Sequence, residues 1–318
     1  MRKFIISDIH GLGNVYYSIM NYLDNLSKNE DISLFINGDL IDHGLESAEI
    51  LLDVIKRMND NSFNIVYLGG NHEQLMYDYY INREKYIFKD YRIIHNWFDN
   101  GGFITDSNLY DLLDYDEEKI QKIVSIISNL DIYHKFEEKI NNKNIVLVHA
   151  SCPDVVKDKC DLKINSEQKT IFPYLWARYS DFNIKNINSI KMVDEITNNI
   201  GNENYFTIVG HTVNNNKFGF KYNEQYNFLN IDGGCSFYSS GRFEYNHVPL
   251  VEVKDGFLRI LTFNNNNEII YGNYFDGNKI YSILDEELNV DRVYLNKNLK
   301  VKKLVKLEDG VIGYEDWK

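Results

Sequence analysis

Phe4-Ile5-Ile6 is the first of a series of short apolar runs that stop on polar, metal-competent side chains, and this repeated ending constrains the fold more than any other feature of the chain. The run leads into Ser7-Asp8-Ile9-His10-Gly11. Residues two apart in an extended segment point to the same side, so Asp8 and His10 can face one ion where the strand stops. Ile32 to Ile36 leads likewise into Asn37-Gly38-Asp39-Leu40-Ile41-Asp42-His43-Gly44, and Asn64 to Leu68 into Gly69-Gly70-Asn71-His72-Glu73. Asn144 to Val148 closes on His149, Tyr205 to Val209 on Gly210-His211-Thr212, and Phe228 to Ile231 on Asp232-Gly233-Gly234. A single Asp at a strand end is often only a turn former or helix cap. The repetition is what gives the pattern chemical meaning.

Helical periodicity fills the gaps between the early runs. Val15 to Leu26 places Ile19, Tyr22, Leu23 and Leu26 on one face, and Ala48 to Met58 does the same with Ile50, Leu51, Val54 and Ile55. Alternation of this kind predicts an α/β protein built on βαβ units with a largely parallel sheet. From about residue 74 to 140 the pattern predicts a mostly helical insert rich in aromatics, broken at Asn100-Gly101-Gly102. Beyond Pro249 the texture becomes β-like, with a hairpin expected around Asp255-Gly256. The expected organisation is a main domain over 1–265 carrying the 74–140 insert, followed by a β-rich C-terminal extension over 266–318.

Composition narrows the possible partners. With 44% apolar residues in 318, the chain can build a full core, yet no stretch approaches the ~18 uninterrupted apolar residues of a membrane helix. A net charge of −13 argues against a nucleic-acid partner, which calls for a basic face. It leaves room for a phosphorylated substrate, because bound divalent cations reverse the potential inside one cleft. Met1-Arg2-Lys3 runs straight into a strand too short for a secretion signal. The three cysteines, Cys152, Cys160 and Cys235, form no CxxC pair. Both features predict a cytoplasmic protein.

In α/β sheets ligands gather beyond the carboxyl ends of the strands, where Asp8, His10, Asp39, Asn71, His149 and His211 would converge. Five of the eight histidines fall in these motifs. Mixed imidazole and oxygen donors without thiolate suit Mn²⁺, with Fe or Zn²⁺ also accepted. One division of the donors puts Asp8, His10 and Asp39 on one ion and Asp39, Asn71, His149 and His211 on a second, Asp39 bridging. Two ions about 3.5–4 Å apart share and activate a hydroxide for in-line attack on phosphorus. The expected reaction is phosphoester hydrolysis without a covalent enzyme intermediate.

Asp8-Ile9-His10, Gly38-Asp39-Leu40-Ile41-Asp42, Gly70-Asn71-His72-Glu73, His149 and Gly210-His211-Thr212, in this order, resemble the calcineurin-like metallophosphoesterase superfamily over about residues 1–240. The resemblance implies a β-sandwich with flanking helices, four layers in the order α/β/β/α, and the same division of metal ligands. Asp42, Glu73, the segment Trp97 to Gly102 with Thr105, and Leu175-Trp176-Ala177-Arg178 look most like bacterial phosphoprotein (serine/threonine) phosphatases. By that resemblance His72 would protonate the leaving oxygen, Asp42 would orient it, and Arg178 would bind phosphate together with Asn71. A carboxylate beside an imidazole favours the protonated form such an acid needs.

The group usually carries arginine where this chain has His43 and Gly69. His43 either stands in as a protonated phosphate contact or is a loop residue. Asp232-Gly233-Gly234-Cys235 also resembles a segment shared with the symmetrical dinucleoside tetraphosphatases. The expected enzyme is thus a metal-dependent phosphomonoesterase. A dinucleoside tetraphosphatase and a non-catalytic scaffold of the same fold are the alternatives.

Overall fold

The computed structural model describes residues 1–60, 63–86, 96–178, 200–214, 216, 218–224, 227–238, 246–266, 268–277, 280–282, 300–306 and 312–316. β1 (Arg2–Ile6), β2 (Ile32–Asn37) and β3 (Asn64–Leu68) run parallel side by side. They alternate with the helices α1 (Gly13–Ser27) and α2 (Ser47–Asn59), and α3 (Asn71–Tyr86) follows β3 directly. The βαβ expectation holds here because α1 and α2 each carry one apolar stripe to lay on the sheet. α4 (Gly102–Leu112) and α5 (Glu117–Ser128) come next, the latter capped by Asp116, whose side chain accepts from the Glu118 and Lys119 amides.

A second sheet begins with β4 (Tyr133–Ile140), which pairs antiparallel with β5 (Lys143–Val148). The helical insert expected over 74–140 therefore ends earlier, and its last eight residues form a strand. α6 (Gln168–Trp176) leads towards β6 (Phe206–Val209), which runs parallel to β5. β7 (Lys221–Asn223) and β8 (Phe228–Asn230) complete this sheet in the order β4-β5-β6-β8-β7. The chain then returns to the first sheet as β9 (Val248–Lys254), antiparallel to β1, and forms the expected hairpin with β10 (Phe257–Phe263).

β11 (Glu268–Phe275) hydrogen-bonds along β10, so the boundary expected between 265 and 266 falls between two paired strands. β12 (Ile280–Ser282), β13 (Lys300–Lys306) and β14 (Ile312–Asp316) extend this edge.

Alternation along the strands sorts the core into layers. Phe4 and Ile6 of β1 pack with Leu34, Ile36 and the apolar stripes of α1 and α2. Ile5 and Phe35 point the other way, against Ile145, Leu147, Phe206 and Ile208 of the second sheet. The outer face of that sheet, with Val146, Val148 and Phe228, is covered by Tyr174 of α6 and by Ala150, Cys152 and Ala177. The result is the four-layer α/β/β/α sandwich. No helix among the described residues is long and apolar enough to cross a membrane.

One buried ion cluster ties β9 to its neighbours. The Glu252 carboxylate accepts a bidentate pair from Arg2, 2.6 and 2.9 Å long, and faces Arg259 at 3.2 Å and Lys254 at 2.6 Å. Burial alone would raise the Glu252 pKa, but Arg2 and Lys254 outweigh it and hold it below the ordinary 4.5. A depressed carboxylate stabilises the fold fully above its unfolded pKa and loses that contribution as pH falls through the folded value. Glu252→Gln should therefore cost about 3 kcal/mol at pH 7 by urea denaturation, with a smaller gap to the wild type at pH 3.5. An equal gap at both pH values would refute this assignment.

Candidate metal centre

The carboxyl ends of β1, β2, β3, β5 and β6 open onto one buried site. Asp8 and His10 follow β1, Asp39 and Asp42 follow β2, Asn71 and His72 open α3, and His149 and His211 follow β5 and β6. Each of these eight side chains is buried, with His72 the most accessible at 6%. Backbone pairing continues past the strands: the Asp8 amide donates to Gly38, that of His10 to Asp39 and that of Gly11 to Leu40.

Asp8, His10, Asp39, Asp42, His43 and His211 all have positive φ, between 47° and 72°. Left-handed backbone is disfavoured for residues with a Cβ and costs roughly 1 kcal/mol or more each. Its concentration here shows that the turns are shaped for the side chains they present. Two glycines make the close approaches possible. A Cβ on Gly38 would stand 2.6 Å from Gly70, and one on Gly210 would collide with Asp8 and Ser7.

Asp39 stands at the centre. Its Oδ2 faces His10 Nε2 at 3.6 Å and His72 Nε2 at 3.8 Å, while its Oδ1 faces His149 Nε2 at 3.3 Å. His149 Nε2 is also 3.0 Å from Asn71 Oδ1. Asp39 thereby belongs to two groups, one with Asp8 and His10 and one with His149 and His211, each with its donor atoms within 4.8 Å of one another.

The imidazoles are set up as donors. His10 Nδ1–H donates to the Ile41 carbonyl at 3.0 Å, and His149 Nδ1–H to that of Asn37 at 2.9 Å. His211 Nε2–H donates to the Trp176 carbonyl at 3.2 Å. In each ring one nitrogen is spent on the backbone, and the second nitrogen of His10 and of His149 faces Asp39, at 3.6 and 3.3 Å, where a metal would take it. Burial pushes His10 and His211 well below the usual imidazole value, so both are neutral. A metal requires that form.

The carboxylates are a poor arrangement for one another. Burial first, then Asp232, pushes Asp8 well up, and burial raises Asp232 to about 6. Asp39 is held well below its usual range because His149, His72 and His10 outweigh its burial. Divalent cations among these oxygens would relieve the repulsion, and the donors present suit two of them.

His72 lies to one side of the shared carboxylate. Its Nδ1–H donates to Asp42 Oδ2 at 2.7 Å, and its amide donates to Asp39 Oδ1 at 3.1 Å. Burial lowers the imidazole, but Asp39 and Asp42 outweigh it and lift it to about 9. Asp42 is fixed in turn by the Trp97 indole N–H at 2.9 Å and the Thr105 hydroxyl at 2.6 Å. His43 is half-buried, with its ring centroid 5.0 Å from that of His10 and 5.2 Å from that of His72. Burial and then His72 lower it to about 4. Arg178 lies against the second group, its Nη1 donating to the His211 carbonyl at 2.8 Å.

Residue types at strand ends do not disclose the supports. Glu73, fully buried, accepts from the amides of Asp39, Leu40 and Gly70 at 2.9, 3.0 and 2.8 Å and from the Tyr67 hydroxyl at 2.7 Å. Its bond to Gly70 is half of a capping box at the start of α3, a pattern visible in the sequence. Its grip on the Asp39 loop is not. Asp8 is held by the Ser7 hydroxyl and by the His211 amide, the latter at 2.9 Å. One aromatic cluster of the insert is core: Trp97 is fully buried and packs with Tyr79, Tyr80 and Phe98.

A family model described as calcineurin-like phosphoesterase matches residues 1–172. No curated protein matches the chain by sequence. Among solved structures, a protein serine/threonine phosphatase from Saccharomyces cerevisiae with similarity to human phosphatase PP5 is 14% identical, with 83% of this chain and 80% of that one covered at a TM-score of 0.50. A cold-active protein-tyrosine phosphatase of a psychrophilic Shewanella aligns at 14% identity over 88% and 80%, TM-score 0.44. A putative diadenosine tetraphosphatase aligns at 14% identity over 82% and 93%, TM-score 0.43. At 14% identity the likeness to the first of these is one of fold.

Proposed function

The chain belongs to the calcineurin-like phosphoesterase family, and from that premise we propose that it is a two-metal phosphomonoesterase acting on phosphoserine or phosphothreonine in proteins. The observation that carries this reading is Asp39, whose two oxygens face two separate groups of donors. Asp8, His10 and Asp39 would hold one ion, and Asp39, Asn71, His149 and His211 the other. Donors of nitrogen and oxygen without sulfur favour Mn²⁺. When bound, the pair supplies charge neutralisation at phosphorus and a nucleophile available at neutral pH.

The remaining steps belong to side chains of this protein. Arg178, at the His211 side, orients the phosphoryl oxygens through its planar fork. Asn71, beside His149, shares that task. His72 donates a proton from Nε2 to the departing alkoxide, whose high proton affinity makes such help worth most. Asp42 keeps the His72 ring in position and favours its charged form. Trp97 and Thr105 hold Asp42 still, so the acid is aimed before substrate arrives. His43 closes the same wall as an uncharged imidazole. The three cysteines stand as free thiols, which supports a reducing, cytoplasmic setting.

The test is product analysis by chromatography after Mn²⁺-loaded protein meets phosphoserine and phosphothreonine peptides mixed with diadenosine tetraphosphate. Release of phosphate from the peptides with the dinucleotide intact is expected. ADP appearing while the peptides survive would overturn the assignment.

A further inference from the structure

A cleft of about 430 Å³ opens beside the metal-ligand cluster, with His10 and His43 in its wall. It runs over the first turn of α1 and past Leu12 and Leu45 to Ile104 and Tyr238. Leu12 is buried, whereas Leu45 and Tyr238 are 72% and 45% exposed, so the cleft rises from the cluster to an apolar rim. Phe103, 63% exposed, lies next to Ile104 in the chain on the same first turn of α4.

The charges of this cleft are one-sided. Glu46 is the ionic side chain in its lining, with no lysine or arginine among the described residues there. Glu46 also packs against Gly13, where a Cβ would stand 3.0 Å from its carboxyl carbon. Its negative charge thus sits at the positive end of α1, which would otherwise attract an anion. A second phosphate or a carboxylate entering here would meet Glu46, with no lysine or arginine among the described lining residues to offset it.

We propose that this cleft is a specificity subsite for an uncharged apolar side chain next to the phosphorylated residue of the substrate. The inference rests on the phosphopeptide reading above and adds to it a sequence preference. Continuity through His10 and His43 puts the subsite within one residue's reach of the phosphoester, since neighbouring Cα atoms are about 3.8 Å apart. Leu12, Leu45, Ile104 and Tyr238 supply the contact area. Glu46 rejects acidic neighbours and extended polyphosphates.

Three phosphoserine peptides test it with Mn²⁺-loaded protein: one with leucine on both sides of the phosphoserine, one with aspartate and one with glycine. Leucine should raise kcat/KM over glycine by roughly tenfold, the equivalent of partly burying one such side chain, and aspartate should lower it. Leu45→Asp and Tyr238→Asp change surface residues outside the catalytic groups. Both should erase the leucine advantage, read as the ratio of kcat/KM on the leucine peptide to that on the glycine peptide within each variant. Equal rates on all three peptides in the wild type, or a leucine advantage that survives both variants, would overturn the subsite and leave the phosphopeptide reading intact. No phosphate from any peptide would overturn both.

Discussion

Asp39→Asn should lower the rate of phosphate release by roughly a thousandfold at saturating Mn²⁺, the larger part of the several kcal/mol that a metal pair contributes. The substitution keeps size and shape, so the Asp39 position in the turn is preserved. What it removes is the charge that both donor groups share, through Oδ2 towards His10 and through Oδ1 towards His149. An amide has one oxygen to offer and cannot serve both sides with a lone pair. Thermal unfolding of the variant should remain cooperative, since Glu73 holds the Asp39 loop through backbone amides and not through this side chain. A folded variant with wild-type turnover would show that Asp39 is not the shared ligand.

His72→Asn should reduce turnover on alkyl phosphates such as phosphoserine peptides by roughly a hundred- to ten-thousandfold, the range for loss of a positioned acid. On p-nitrophenyl phosphate, whose leaving group departs without a proton, the loss should be far smaller. Metal affinity should persist, because His72 Nε2 stands 3.8 Å from Asp39 Oδ2 and its other nitrogen is bound to Asp42. Loss of equal size on both substrates would contradict the role of proton donor. Asp42→Asn should follow the same substrate pattern more weakly, since it acts through the orientation and charge of His72.

Much of the site is legible in the sequence because strand termini are. Asp8, His10, Asp39, Asn71, His149 and His211 each follow an apolar run directly, and a parallel sheet brings such termini together without further information. The left-handed backbone at Asp8, His10, Asp39 and His211 is a different matter. Aspartate and histidine carry no signature for positive φ as strong as that of glycine, so the shape of these turns emerges only in three dimensions. Trp97 and Thr105 hold Asp42 across 55 and 63 residues of chain, and their roles are set by tertiary packing.

β4 shows the opposite failure. Buried Tyr133 and Phe136 are three residues apart because they face opposite sides of the strand, Tyr133 with Val146 and Val148 and Phe136 with Ile145 and Leu147. That spacing mimics a helix, and the charges at Lys135, Glu137, Glu138 and Lys139 complete the disguise. The strand forms because its neighbour β5 supplies a hydrogen-bonding edge and an apolar sheet face.

Metal analysis by plasma mass spectrometry shows whether Asp39 joins two metal sites. Protein dialysed against Mn²⁺ and freed of excess should retain about two equivalents per chain, and Asp39→Asn prepared identically fewer than one. Two equivalents retained in both proteins, or none in the wild type, would rule out Asp39 as the shared ligand of a metal pair.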